Sequence, residues 1–239
     1  DDGFQIIAVS RFGYLRSPFP QDSTPAAQAD LYAALLDSLE IRRAALVGTS
    51  AGGSSSLQFA LRHPERCAAL VLWSTAVPPY SVPAGPIRAL MRAFFGSDLA
   101  FWATMAYAPT RMLGLMGVPR SVQDALETPE REWLTEAMVS LLPVSRRVRG
   151  IMNDVCVSNP DLNQGYPLET ISVPVLMLHA VDDPMPPFAG AQQMAAQIPG
   201  ARFVAFQGGG HLLLGHQAEA RVEIAALIRQ HSDAATSPP

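Results

Sequence analysis

The sequence predicts an α/β fold: a mostly parallel sheet flanked by helices, carrying a helical insertion. Three observations lead there. Short apolar runs alternate with helical patterns along most of the chain. The runs lack polar alternation, as parallel strands covered on both faces do. One long stretch between them has no strand pattern and is punctuated by proline and glycine.

The elements follow in order. Gln5–Val9 reads as the first strand. Thr24-Pro25 opens a helix, with Thr24 as cap and proline at the first position. Leu31, Leu35, Leu36 and Leu39 then keep helical spacing. Ala44–Val47 is the second strand, and Ala51–Leu61 is a helix that His63-Pro64 ends. Ala68–Leu72, Val175–His179 and Arg202–Phe206 are the remaining strands. Pro187–Gln197 and Gly215–Gln230 are helical. No internal repeat is present.

The insertion runs over residues 78–166 and divides the core into residues 1–77 and 167–231. It holds apolar helical pieces with Met91, Phe94, Phe95, Phe101, Trp102, Met105, Met112, Leu115 and Met116. Met and aromatic side chains of this kind either pack on the core or line a substrate site. The tail at residues 232–239, SDAATSPP, reads as disordered.

Composition narrows the function. The 239 residues fit one domain with an insertion. The chain is 49% hydrophobic and 16% charged, enough to bury a sizeable core. A net charge of −4 without a basic run points away from nucleic acid. All 17 basic residues are arginine. Schiff-base chemistry, lysine-held pyridoxal phosphate and the GxxxxGK[ST] phosphate loop all need a lysine, so none is available. Cys67 and Cys156 form no CxxC pattern; they read as two buried thiols in a reducing, cytoplasmic compartment. Neither a metal nor another cofactor is expected. No signal peptide and no long uninterrupted apolar window is evident, so no membrane span is expected.

The chemistry-bearing residues sit at strand ends. Ala44–Val47 runs into Gly48-Thr49-Ser50-Ala51-Gly52-Gly53, a G-x-S-x-G pattern in strand-turn-helix context. The turn is tight enough that side chains two positions either side of Ser50 are expected to collide with neighbouring backbone. The hydroxyl is thereby exposed, and the helix start brings N–H groups to a developing oxyanion. A serine needs a base. Among five histidines, His211 follows three glycines on a loop past the last strand, at the sheet edge where ligands bind. His179 reads as core, His63 as a helix end, His216 as a helix-surface or packing residue and His231 as part of a frayed end. The base needs an orienting acid. Asp182 and Asp183 follow the strand Val175–His179, and the order Ser50, Asp183, His211 is that of a nucleophile-acid-histidine site. The second aspartate then takes a turn-capping role.

With these residues in hand, the chain resembles the α/β-hydrolase fold superfamily from Phe4 to Gln230. Ile7–Tyr14 with Ser17 is similar to the family's strand-four stretch ending in D-x-x-G-x-G-x-S, with Ser10 in place of the aspartate and Leu15 in place of a glycine. Gly48–Gly53 resembles the nucleophile elbow. Leu178–Pro184 resembles the acid segment, usually G-x-x-D, with Ala180 for the glycine and Asp183 as the acid. Gly210-His211 matches the histidine loop. The resemblance implies that the insertion is a helical cap and that Ala51 donates one backbone N–H to the oxyanion hole.

One family segment has no counterpart. The second oxyanion donor follows strand three, and the chain starts at what resembles strand four. Two expectations follow: an upstream segment or another chain completes the sheet, or Gln5–Val9 moves over to pair with Ala44–Val47.

The expected function is a cofactor-independent serine hydrolase of the carboxylesterase kind, acting on a hydrophobic small to medium ester. Phe94, Phe95, Phe101, Trp102 and Met105 are its candidate substrate-binding residues. Lactone, carbon–carbon bond and amino-terminal proline hydrolysis, and perhydrolysis, use the same triad. A non-catalytic binding protein on the same fold is the alternative from another class.

Overall fold

The computed structural model describes residues 3–232 of the chain. Its first helix, α1 (Pro25–Ser38), starts where the sequence places it: Thr24 is extended and its side chain accepts from the Ala27 N–H at 3.2 Å. Strand β1 (Ala44–Thr49) leads into α2 (Gly52–Arg62), and β2 (Cys67–Trp73) follows. Then come the helices of the insertion: α3 (Gly85–Phe95), α4 (Asp98–Tyr107), α5 (Pro109–Leu115), α6 (Arg120–Ala125), α7 (Thr128–Val139), α8 (Val148–Asn153) and the short α9 (Asn159–Asp161). A π-helical turn, Asp154–Ser158, separates α8 from α9. Strand β3 (Val175–Ala180), α10 (Phe188–Gln197), β4 (Arg202–Phe206) and α11 (Gln217–Ser232) complete the order.

The four strands form one parallel sheet in the order β1-β2-β3-β4. Alternation along the strands sends side chains to two faces. Leu70, Leu72, Val175 and Met177 join residues of α1, α2 and α10, including Ala29, Leu57, Phe59 and Met194, in one core. Val71, Leu176, Leu178 and Ala180 point the other way, onto Ala220 of α11. Helices therefore cover both faces, which is why the strands read as unbroken apolar runs. The insertion has a core of its own around Phe101, Met112 and Val144.

The expected first strand is corrected. Among the described residues Gln5–Val9 has no strand partner and carries no strand, and Ile6 is 86% exposed. The expectation that it moves over onto β1 fails with it, because among the described residues β1 pairs with β2 alone. An apolar run becomes a strand only where a neighbour completes its hydrogen bonds. The rest of this amino-terminal segment is held otherwise. Phe12 N–H donates to Gln28 Oε1 at 2.8 Å, and Leu15 N–H donates to the Arg146 carbonyl at 2.8 Å.

Both cysteines are free thiols. Cys67, at the start of β2, is buried as expected, and burial pushes its thiol up to about 12, so it stays protonated; Cys156 is only partly buried, against the expectation. No helix among the described residues is long and apolar enough to cross a membrane. The disorder expected for the tail falls, beyond the end of α11 at Ser232, outside the described residues.

Candidate active site

Ser50 sits between β1 and α2 in the left-handed region, with φ 51°. A non-glycine residue there is strained and must be held by its surroundings. Its N–H donates to the Trp73 carbonyl at 2.9 Å. Its carbonyl accepts from Gly53 N–H at 3.0 Å, Ala76 N–H at 3.3 Å and the Thr75 hydroxyl at 3.2 Å. The loop after β2 thus fixes the turn after β1.

The glycines of the elbow divide differently from the expectation. A Cβ at Gly48 would lie 2.6 Å from Ser56 Oγ, and one at Gly53 would lie 1.5 Å from Thr75 Oγ1. A Cβ at Gly52 would meet nothing within 4 Å. The second obligatory glycine is therefore three residues after Ser50, where Thr75 crosses over the start of α2.

Asp183 lies past β3, its side chain wholly inaccessible. One carboxylate oxygen accepts from Met185 N–H at 2.8 Å. The other lies 2.8 Å from His211 Nδ1. An ionised carboxylate only accepts, so Nδ1 carries the proton and Nε2 is left as acceptor. Nε2 is 2.8 Å from Ser50 Oγ. The chain Asp183–His211–Ser50 is continuous, and all three residues expected from sequence meet.

The loop that presents His211 is shaped by backbone. Gly209 and Gly210 have φ of 103° and 60°, values open to glycine. Gly210 N–H donates to Asp182 Oδ1 at 2.9 Å, so Asp182 braces the histidine loop rather than the imidazole. His211 N–H donates to the Gly117 carbonyl at 2.8 Å. Gly117 itself has φ 75°, and a Cβ there would lie 2.5 Å from His211 Cβ. The insertion therefore holds the histidine from above. Sequence reasoning missed Gly117 and Thr75; a glycine ahead of Val118-Pro119 was the one visible trace.

Below the triad, His179 is buried, 3.8 Å from Asp183 Oδ2 and 3.1 Å from the Pro186 carbonyl. Burial pushes its pKa below the usual imidazole value, so it is a neutral core residue, as its strand position implies. His63 pairs with Asp30 at the end of α2, and His216 packs on Phe206. Above the triad, Arg11 and Asp154 form a two-armed ion pair. Burial opposes the Arg11 charge, yet Asp154 raises its pKa above the usual value. Burial, then Asp154, raises the Tyr14 phenol too, which remains a donor.

The aromatic residues expected at the substrate are placed elsewhere in part. Phe101 is fully enclosed in the core of the insertion, so it has no face free for a ligand. Phe94, Phe95 and Met105 pack against that same cluster while partly buried. Trp102 is 46% exposed and meets Tyr107 edge-on at 6.0 Å. The cause is packing: a helical piece of this length has to build its own core before it lines a cleft. Among the described residues no group of three or more metal-ligating side chains comes together.

The chain as a whole is similar to known proteins. The alpha/beta hydrolase fold family model matches residues 1–215. A 2-hydroxymuconate semialdehyde hydrolase of Pseudomonas putida is 28% identical over 84% of this chain and 67% of its own length. A bifunctional esterase/perhydrolase of Acinetobacter calcoaceticus is 26% identical over 95% of this chain and 83% of its own. An alpha/beta hydrolase fold protein from Nakamurella multipartita superposes with a TM-score of 0.63 at 26% identity, covering 92% of this chain and 81% of that one. With the elbow, the sheet order and the family model agreeing, this chain belongs to the alpha/beta hydrolase fold family.

Proposed function

We propose that the protein is a serine hydrolase that cleaves a small to medium hydrophobic ester by acyl transfer. The observation that carries this is the hydrogen-bonded series from Asp183 through His211 to Ser50, 2.8 Å at each link. In this reading Ser50 Oγ attacks the carbonyl carbon while His211 Nε2 takes its proton. Asp183 fixes the tautomer and stabilises the imidazolium. The alcohol leaves with the proton from His211. Water, activated by the same nitrogen, then releases the acid and restores Ser50. Ala51 N–H, at the start of α2, donates to the oxyanion.

The helical segment at residues 78–166 acts as the cap in this scheme. Phe94, Phe95, Trp102 and Met105, which retain accessible surface, are its candidates for the hydrophobic group of the substrate. The esterase/perhydrolase relative supports the ester reading. The semialdehyde hydrolase relative favours a second one, hydrolysis of a carbon–carbon bond by the same triad.

A panel of p-nitrophenyl esters, lactones and ring-fission ketones, with a fluorophosphonate probe, tests this. Wild type should turn over the esters and label at Ser50. Ser50→Ala and His211→Ala should each lose at least about a thousandfold in kcat. Absence of labelling at Ser50 refutes the reading, and turnover of the ketones alone selects the second one.

A further inference from the structure

We propose that Arg11 is a positioning residue that couples the helical segment to the nucleophile elbow, a role that rests on the serine-hydrolase reading above. Arg11 Nη1 and Nη2 each donate to one oxygen of Asp154 at 2.6 Å. The same Nη1 also donates to the Ala51 carbonyl at 3.3 Å. Ala51 directly follows Ser50, and its N–H is the oxyanion donor in the proposed reaction. One guanidinium thus holds the π-helical turn after α8 and the residue that shapes the oxyanion site.

The pair is nearly out of solvent, with side chains 20% and 10% accessible. Tyr14 adds a third donor to Asp154, O–H to Oδ2 at 2.5 Å. A buried ion pair is a poor source of stability, since apolar replacements of similar volume serve as well or better. What an apolar pair cannot do is deliver an N–H to the Ala51 carbonyl. The Ser54 hydroxyl donates to that same carbonyl at 3.3 Å, so Arg11 and Ser54 share it from two sides. The carbonyl and the oxyanion N–H lie in adjacent peptide planes that meet at the Ala51 Cα, so a shift of the first plane displaces the Cα on which the second is hung.

The other end of the coupling is firmly attached. Leu15 N–H donates to the Arg146 carbonyl at 2.8 Å, and Gly150 N–H donates to the Gly13 carbonyl at 3.1 Å. The ring of Tyr14 fills the space of a Cβ at Gly150, 2.1 Å away. The loop from Arg11 to Leu15 and the helix α8 therefore move together. Asp154 is the first residue of the π-helical turn, a kind of turn that occurs frequently at functional positions. A displacement of the helical segment on substrate entry thus pulls on Ala51 through Asp154 and Arg11. Beside the pair, a cavity of about 260 Å³ lined by Val9, Ser10, Arg11, Tyr14, Leu15 and Arg147 gives a replacement side chain room to settle.

The test compares wild type, Arg11→Met, Arg11→Lys, Asp154→Asn and the double variant Arg11→Met with Asp154→Leu. The readouts are kcat and KM on a p-nitrophenyl ester, the rate of fluorophosphonate labelling at Ser50, and Tm. Arg11→Met should lower kcat and labelling by about ten- to a hundredfold, the scale of a misplaced reacting group, with KM moving less than about threefold. Arg11→Lys should recover only part, because one ammonium cannot hold both Asp154 oxygens and the carbonyl. Asp154→Asn, which leaves Arg11 able to reach Ala51, should lose less than Arg11→Met. The double variant should regain the wild-type Tm and keep the low kcat.

If kcat returns with Tm in the double variant, or if Arg11→Met leaves kcat and labelling unchanged, the proposal is overturned while the triad stands. If wild type does not label at Ser50, the serine-hydrolase reading fails and takes this role with it. Should the double variant not fold, the ranking of Arg11→Lys above Arg11→Met in labelling rate, at equal Tm, decides.

Discussion

Val47 on β1 and Val71 on β2 are direct register partners, yet Val47 is 49% exposed and Val71 is fully buried. The two strands have the same kind of sequence. β2 has a strand on each side and α11 across one face; β1 has a strand on one side only. The exposed Gln5–Val9 segment extends the contrast, since its apolar residues have no ladder at all. Burial in this sheet is set by the number of neighbours, not by the hydrophobicity of the run. The candidate site residues follow the better-supported part: Asp183 leaves from the end of β3, and Ser50 is tied to β2 through Trp73.

Lysine substitutions break the comparison most strongly. Val71→Lys buries an unpaired charge and should cost about 4 kcal/mol or more. Val47→Lys should stay within about 0.5 kcal/mol. Urea unfolding of both variants measures the difference; equal losses would mean that β1 is as enclosed as β2.

The next contrast lies within the elbow. Gly53→Ala drives a methyl into Thr75 and should cost about 1–3 kcal/mol, with slower labelling of Ser50. Gly52→Ala meets open space. It should be neutral or stabilising by up to about 0.5 kcal/mol, with labelling unchanged.

The smallest effect is one of pH. His179 in β3 has a folded pKa pushed below its ordinary 6.5 by burial. Above that ordinary value both folded and unfolded chains hold a neutral ring, and nothing changes. Below it the unfolded chain binds a proton that the folded one refuses, so stability falls as pH falls, by up to about 2 kcal/mol between pH 7 and 5. His179→Gln retains a donor for the Pro186 carbonyl and does not titrate. Its Tm should drop less than that of wild type over this interval; an equal drop would assign the acid sensitivity to other groups.

The legible parts of the fold are those whose cause is local. Thr24-Pro25 announces a helix because capping needs only adjacent residues. β4 is read to the residue, at Arg202–Phe206, because turns bound it closely on both sides. Ser50, Asp183 and His211 are legible because each follows a strand, and strand ends share one edge of a parallel sheet. Gln5–Val9 misleads because a strand is a relation between segments. Gly52 stands in the G-x-S-x-G pattern, while the contact that forbids a side chain comes from Thr75 at Gly53, twenty-odd residues away in sequence. Phe101 misleads for a similar reason: helical spacing shows that a face is apolar, not which apolar surface it meets. Arg11 carries no local signal for its tie to Asp154, since the partner lies in the insertion.

The bond from His211 N–H to the Gly117 carbonyl bears on how such proteins can be recombined. Helical insertions look like exchangeable modules, open to grafting from one relative to another. Here His211, the base in the proposed mechanism, borrows its backbone anchor from inside the module, at a glycine whose conformation and lack of a side chain are both required. A chimaera that imports another insertion imports another seat for the histidine. Under the proposed mechanism, substrate preference and catalytic competence are therefore inherited together, and variation of the insertion is confined to replacements that reproduce this one turn.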